Sequence, residues 1–236
     1  MLSVGLHELW PNVHLHAFEA DLPGPTVLVQ AGIHGDEIAG VHALEELLEE
    51  GLRPARGRLL IIPVMNPPAY RARERAAPGP DGGAGLDLNR CFPGREDGAR
   101  EERLARVLMS LVLDEKPSVM ATLHESWKRH HPDFPVSFGQ TVTYGVEPRP
   151  PIVDRLCERM NEALENPYER WAPHYYPVAT SSTEVIVDAL QRLGVDPVAG
   201  LCIETWMGFP LARRVAMQKR VVRLILDEAG VLPFSG

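Results

Sequence analysis

The segment "TVLVQAGIHGDEIAGVHALEELLEEG", residues 26–51, decides the fold class. Its first part, 26–32, is β-branched and apolar and ends in glycine, which predicts a buried strand. Its second part, 36–51, has acidic residues in its first turn, apolar residues at helical spacing and Gly51 at its end, which predicts an amphipathic helix. A buried strand followed directly by such a helix is the repeating unit of α/β proteins.

The same two patterns alternate along the rest of the chain. The Pro/Gly-rich loop at 77–85 and the Pro-rich segment "YERWAPHYYP" at 168–177 predict irregular structure. Buried strands alternating with amphipathic helices predict a single α/β domain over residues 1–236, with a mixed, mostly parallel sheet and helices on both faces. The further predicted strands are 58–65, 118–124 and 198–205, and the further predicted helices are 98–115, about 151–165, 182–193 and about 210–229.

Composition excludes several classes of function. The 236 residues, 44% hydrophobic and 24% charged, match an ordinary globular protein, and a net charge of −8 argues against a broad nucleic-acid or anionic-membrane surface. There is no 18-residue apolar run and no signal-peptide pattern at the N-terminus. The three cysteines form no Cys-x-x-Cys pair. We therefore expect a cytoplasmic protein without nucleic-acid or membrane partners, whose oligomeric state the sequence leaves open.

Three His-x-x-Glu pairs occur in the sequence, and two of them predict no site. His16 and Glu19 lie in a strand-like stretch, where residues three apart point to opposite faces. His42 and Glu45 share a helix face, but that face lies about 120° from the middle of the apolar stripe and is predicted to be wet.

The third pair, His34 and Glu37, follows a buried strand, at the edge where open α/β sheets place their ligand crevices. Glu37 is predicted to lie in the first helical turn and to face the sheet, where it needs a partner: a metal, an arginine or a backbone amide. His124 closes another predicted strand. Two histidines and one glutamate form a known catalytic zinc set, although His124 is also compatible with a hydrogen-bonded structural role.

Two further motifs carry polar groups toward the same predicted edge. Asn89 and Arg90, in "GLDLNRCFPG", are able to hold a carboxylate together, or Arg90 forms a surface salt bridge. Glu204, in "LCIETW", ends an apolar strand, where it serves either as a general base beside a metal-bound water or as a carboxylate paired with an arginine.

Taken in order, "GIHGDE", "NPPAYRARERAAPGPDGGAGLDLNRCFPG", "LHES" and "IET" resemble the zinc carboxypeptidase superfamily, in particular its succinylglutamate desuccinylase/aspartoacylase branch, from about residue 26 to 206. The resemblance implies the fold of that superfamily and one zinc ion per chain. The implied site residues are the zinc ligands His34, Glu37 and His124, the base Glu204, the carboxylate-binding pair Asn89 and Arg90, and Arg75, which polarises the scissile carbonyl.

Some positions leave alternatives within this resemblance. The loop near Arg75 is longer than the pattern of the branch, so Arg73 is the alternative for the carbonyl. Thr122 stands where the family often has an acidic residue two before the third ligand. Some members of the superfamily use a tyrosine from a mobile loop, for which Tyr175 and Tyr176 are candidates.

The function implied is that of a zinc hydrolase that cleaves an amide bond next to a free carboxylate, as in N-acyl amino acid deacylases. Only 32 residues follow Glu204, so we expect the chain to lack the additional β-rich domain of aspartoacylases. This expectation makes a murein peptide amidase or a small carboxypeptidase the alternative. An alternative of another class is a non-catalytic protein that binds a carboxylate or zinc.

Overall fold

The computed structural model describes residues 1–134, 136–162, 164, 166 and 169–232. Within these residues, helices alternate with strands, and all the strands belong to one sheet. The strands are β1 (Gly5–Trp10), β2 (Val13–Glu19), β3 (Thr26–Gln30), β4 (Arg58–Ile62), β5 (Val119–Ser126), β6 (Thr141–Tyr144), β7 (Ala172–Tyr175) and β8 (Ala199–Trp206). The helices are α1 (Ala39–Glu49), α2 (Pro67–Ala72), α3 (Arg100–Glu115), α4 (Pro151–Asn161), α5 (Ser182–Arg192) and α6 (Leu211–Glu228), and a 3₁₀ turn covers Leu88–Arg90.

The sheet has the strand order β1-β2-β4-β3-β5-β8-β6-β7. The central strands β4, β3, β5 and β8 are parallel to one another, and so are the edge pair β6 and β7. Antiparallel pairings join β1 to β2, β2 to β4, and β6 to β8. The predicted mixed, mostly parallel sheet is therefore confirmed.

Helices cover both faces of the sheet, as predicted. On one face, buried side chains of α1, α4 and α6, among them Leu44, Leu156 and Val222, form one hydrophobic cluster with the strands. On the other face, α3 and α5 contribute Leu108 and Ile186 to a second cluster. The central strands are apolar on both sides because both faces are buried, which explains their continuous apolar runs in the sequence. No helix in the described ranges is long and apolar enough to cross a bilayer.

Several predicted boundaries are wrong. The helix predicted from residue 36 begins at Ala39, and the strand predicted to end at 124 continues to Ser126. The segment 168–177, predicted to be irregular, contains β7, which tolerates Pro173 because it lies at the sheet edge. Residue 168 of that segment, and residues 163 and 165 of the predicted helix 151–165, lie outside the described residues. The extent of the single domain, 1–236, stays a prediction.

The packing of α1 gives a direct test of the fold. Leu44→Ala should lower the free energy of unfolding by about 2–5 kcal/mol, because this side chain is 0% exposed and its loss leaves a cavity. Leu6→Ala in β1 is the matched control, because Leu6 is 62% exposed and its removal should change the free energy by less than about 0.5 kcal/mol. Urea unfolding of both variants measures the difference, and equal losses would contradict the packing of α1.

Candidate active site

The order of the sheet reverses between β3 and β5. The chain leaves β3 through α1 to reach β4, and then returns through α3 to β5 on the other side of β3. The carboxyl ends of β3 and β5 therefore lie at a switch point of the sheet, where open α/β sheets form their ligand crevice. This crevice is where the sequence predicts the site.

The three predicted metal ligands meet in this crevice. Glu37 accepts a hydrogen bond from Nδ1 of His34 at 2.7 Å and from Nδ1 of His124 at 2.6 Å. All three side chains are buried, and one possible ligand atom of each lies within 4.8 Å of the others. Two imidazole nitrogens and a carboxylate suit zinc and related divalent metals. The donor set therefore fits a metal ion.

Glu37 lies in the loop before α1, and the prediction that it lies in the first helical turn is wrong. The helix begins at Ala39, whose amide donates to the carboxylate of Glu125 at 2.9 Å. Glu37 instead reaches across to β5, where it also accepts a hydrogen bond from the backbone amide of Glu125 at 3.2 Å. These contacts with β5 hold residue 37 outside the helix.

The electrostatics of the ligand group favour a cation. Burial raises the pKa of Glu37, but the two imidazoles lower it to well below its ordinary value. Burial lowers the pKa of His34, and the charge of Glu37 with hydrogen bonds to Asp87 and Glu37 outweighs it and raises this pKa to about 9. Burial lowers the pKa of His124 despite the charge of Glu37. Glu37 therefore stays ionised in the interior and requires positive charge beside it.

Asp87 belongs to the site, although the sequence analysis assigned it no role. Its carboxylate accepts hydrogen bonds from Nε2 of His34 at 3.1 Å and from the backbone amide of Asn89 at 2.9 Å. A carboxylate on the second nitrogen of a ligating histidine fixes the ring orientation. The available signal was its place in "DLNR", two residues before Asn89.

Glu204 stands beside the ligand group on the neighbouring strand. It is the register partner of His124 in the parallel pair β5 and β8, and it lines the same cavity. Burial, and then the charge of Glu37, raise the pKa of its carboxyl to about 8. The structure thus places the predicted base next to the predicted ligands.

Of the two arginines considered for the carbonyl, Arg75 reaches the site. Its Nη1 lies 3.5 Å from Oε1 of Glu37, and its Nη2 donates to Asp87 at 3.0 Å. Arg73 instead stacks its guanidinium over the ring of Tyr70, 4.1 Å from the centroid. Arg75 is half exposed, so its guanidinium is open to a ligand in the crevice.

Asn89 and Arg90 line the same cavity from the 3₁₀ turn. Oδ1 of Asn89 accepts hydrogen bonds from the amide and the hydroxyl of Ser182, at 3.1 and 3.2 Å. Because Oδ1 is engaged, the Nδ2 amide is the group that remains for a substrate oxygen. Arg90 is exposed, and its Nη1 donates to the carbonyl of Asn89 at 2.8 Å.

The two candidate tyrosines differ in position. Tyr176 lines the cavity, whereas Tyr175 is 47% exposed and contacts the ring of Tyr144. Lys128, Val136 and Phe138 also line the cavity.

The cavity that these residues enclose has a volume of about 300 Å³, enough for a small ligand. A larger cavity of about 650 Å³ lies at the opposite edge, beside Val119 and Ala199, where β5 and β8 begin. It contains none of the predicted site residues.

Comparison with known proteins agrees with this geometry. Residues 23–129 match the model of the succinylglutamate desuccinylase/aspartoacylase catalytic domain. N-alpha-acetyl-L-2,4-diaminobutyric acid deacetylase from Halomonas elongata is 33% identical over 173 residues, which are 72% of this chain and 45% of the relative. The chain thus spans less than half the length of this relative. A succinylglutamate desuccinylase/aspartoacylase structure from Rhodobacter sphaeroides has a TM-score of 0.68 at 25% identity, over 94% of this chain and 60% of that one.

Over residues 23–129 the chain thus matches the succinylglutamate desuccinylase/aspartoacylase catalytic domain, and it is similar in sequence and in fold to members of that family. A wider likeness in fold includes the tripeptide-bound cell shape determinant Csd4 from Helicobacter pylori, with a TM-score of 0.73 at 20% identity over 93% of this chain and 56% of that one. The predicted zinc carboxypeptidase-like fold is confirmed.

One position departs from the family pattern used in the sequence analysis. Thr122, which replaces the frequent acidic residue, accepts a hydrogen bond from Nε2 of Gln30 at 3.0 Å. Within the described residues, Nε2 of His124 is buried and has no hydrogen-bond partner. The Nε2 atom of His34 therefore has the carboxylate of Asp87 as its partner, whereas the Nε2 atom of His124 has no such carboxylate among the described residues.

The ligand assignment predicts a clear difference between histidines. His34→Ala and His124→Ala should each lower zinc affinity by roughly 100-fold or more, because loss of an outer group alone already costs 10–100-fold. His42→Ala is the control, because His42 lies away from the ligand group and pairs with Glu45 at 3.7 Å near the surface. Equilibrium dialysis with metal analysis measures all three, and zinc affinity retained in the first two variants would contradict the assignment.

Proposed function

We propose that this chain is a zinc-dependent hydrolase, with one zinc ion per chain, that releases an amine from an N-acyl amino acid. The observation that carries the proposal is that one cavity brings together a possible metal-ligand set, the carboxyl group of Glu204 and three hydrogen-bond donors. These donors are the guanidinium groups of two arginines and the side-chain amide of an asparagine. The relative from Halomonas elongata is named a deacetylase, which supports this class of reaction. All three cysteines are free thiols, which supports the proposed cytoplasmic location.

The proposed zinc ligands are His34, Glu37 and His124. Bound zinc supplies Lewis acidity, which lowers the pKa of the attacking water and polarises the scissile carbonyl. The three side chains are held in place before any ligand arrives, since Glu37 already contacts both imidazoles and Asp87 orients His34.

Glu204 moves the proton. Its carboxylate takes a proton from the attacking water and then gives it to the nitrogen of the leaving amine. A carboxyl whose pKa lies near neutral pH performs both transfers more readily than one with the ordinary value of about 4.3. Burial and the charge of Glu37 raise this pKa to about 8 in the metal-free chain, and the charge of bound zinc would lower it from there toward neutral pH.

Arg75 stabilises developing negative charge, and Asn89 and Arg90 position the substrate. Arg75 donates to the negative charge that develops on the carbonyl oxygen during attack. The guanidinium of Arg90 and the Nδ2 amide of Asn89 hold the free carboxylate of the substrate, which fixes the amide bond relative to Glu204. Neither of these two residues takes part in proton transfer.

A second candidate is a carboxypeptidase acting on murein-type peptides. It is favoured by the side chain of Trp127, which lines the cavity and is 76% exposed, so it offers an aromatic surface to a longer substrate. A non-catalytic binding role is less well supported, because a protein that only binds needs no base at the position of Glu204.

The proposal predicts that Glu204→Gln keeps its zinc and loses most of its turnover. We expect kcat to fall about 10²- to 10⁴-fold, the usual contribution of a general base. Amine release by the zinc-loaded protein is measured with N-acetyl amino acids and, separately, with murein-type peptides. The set that is cleaved chooses between the two candidates.

Glu45→Gln is the control for this experiment, because Glu45 lies on the exposed flank of α1. Full activity of Glu204→Gln would show that the base is wrongly assigned. Cleavage of neither substrate set by the wild-type protein would contradict both candidate functions.

The proposed role of Arg90 predicts a different kinetic result. Arg90→Ala should raise KM about 10- to 100-fold with little change in kcat, because it removes a group that binds the substrate carboxylate equally before and during reaction. Arg95→Ala is the control, since Arg95 pairs with Asp97 on the surface. An unchanged KM with a lowered kcat would assign Arg90 to the transition state instead.

A further inference from the structure

The cavity continues beyond Glu204 along β8 and β6. Cys202 lies two residues before Glu204 on β8, so the two side chains share a face of the sheet. Thr143 on β6 is the register partner of Cys202, and both line the cavity. These short side chains leave room beside the proposed base for part of a ligand.

Glu184, in the first turn of α5, lines the same cavity. Oε1 of Glu184 accepts a hydrogen bond from the backbone amide of Val178 at 3.3 Å. Oε2 is buried and has no hydrogen-bond partner among the described residues. The next residue back, Thr183, donates or accepts at 3.3 Å with the thiol of Cys202, which fixes this turn of α5 against β8.

The backbone beside Glu184 leaves space for its carboxylate. A Cβ at Gly145 would lie 1.9 Å from Oε1 of Glu184, so a side chain at residue 145 would displace the carboxylate. The carboxylate is therefore accommodated by the fold at this position.

No cation of the described residues forms an ion pair with Glu184. Burial raises the pKa of its carboxyl, although the amides of Glu184 and Val178, the hydroxyl of Thr183 and the guanidinium of Arg90 each lower it. The charge of Arg90 therefore lowers the pKa of Glu184, but the guanidinium of Arg90 donates its hydrogen bond to the carbonyl of Asn89. A buried carboxylate without a counter-ion is costly, and a cation bound in the cavity would offset that cost.

We propose that Glu184 binds a primary ammonium group of the substrate, so that the preferred substrates are N-acyl amino acids with a short, amine-bearing side chain. This inference rests on the proposed function of the same site. The substrate carboxylate would be held by Asn89 and Arg90, the amide would face Glu204, and the side chain would extend past Cys202 to Glu184. Substrate selection at this position is a charge pairing between one carboxylate and one ammonium group.

The test compares two substrates of the same shape. Nα-acetyl-2,4-diaminobutyrate carries the ammonium group, and Nα-acetylnorvaline carries a methyl group in its place. For the zinc-loaded wild-type protein we expect kcat/KM to favour the charged substrate by roughly tenfold or more, the effect of a hydrogen bond to a charged group. In Glu184→Gln this ratio should fall to about 1.

The ratio separates substrate recognition from a structural role. If Glu184 only fixes the loop at Val178, the substitution lowers both kcat/KM values together and leaves their ratio as in the wild type, which overturns the inference. Asp188→Asn on the same helix is the control and should keep the wild-type ratio, because Asp188 pairs with Arg192 on the surface at 2.8 Å. A wild-type ratio near 1 also overturns it, while cleavage of either substrate leaves the proposed hydrolase function standing.

If neither substrate is cleaved, the binding of the product amino acids is measured instead. That result would contradict the proposed function, and calorimetry with free 2,4-diaminobutyrate and norvaline then tests Glu184 alone. Tighter binding of the diamino acid by the wild-type protein, lost in Glu184→Gln, would support the ammonium site. Equal binding of the two would overturn it.

Discussion

The carboxylate of Glu37 is the contact on which the rest of the site depends. It is 5% exposed, and its two oxygens bind the imidazoles of His34 and His124, which follow β3 and lie on β5 respectively. Burying a carboxylate is tolerated only when positive charge and hydrogen bonds replace the lost water. The two strands and the loop 31–38 are therefore fixed relative to one another by a group that requires a cation, and the same requirement prepares the position for a metal ion.

The helix α6 supports this arrangement from behind. Gln218 donates to the backbone carbonyl of His124 at 2.9 Å, and Arg214 pairs with Glu125 at 2.6 Å. Glu125 in turn accepts from the first amide of α1, at Ala39. The end of β5 is thus held between two helices on one face of the sheet. A substitution of Gln218 or Arg214 would therefore change the position of the end of β5, and with it the position of His124, without removing a ligand side chain.

The sequence was sufficient for the central strands and most helices, since these are continuous apolar or periodic segments whose pattern follows from burial on one or both faces. It was insufficient where a distant contact overrides a local preference. The local sequence pattern predicted that Glu37 lies in a helix, but its hydrogen bond with His124, 87 residues later, holds it outside that helix. The edge strand β7 was missed because Pro173 argues against a strand unless its edge position is known. Asp87 could have been found from its place in "DLNR", whereas Glu184 stands in no motif that the sequence analysis recognised, and the folded cavity shows that it faces the site.

The residues of the site divide according to the element that carries them. The proposed metal ligand on β5 and the base on β8 project from adjacent central strands in fixed register, so their separation is set by the sheet itself. Asn89, Arg90 and Glu184 instead lie on a 3₁₀ turn and the first turn of a helix, where sequence changes do not disturb the sheet. In the proposed function, reaction chemistry and substrate choice would therefore lie on different elements of the fold. Relatives named for different acyl amino acids are the expected result of such an arrangement, because the contacts that select a side chain are able to change while the strands that carry the chemistry stay the same.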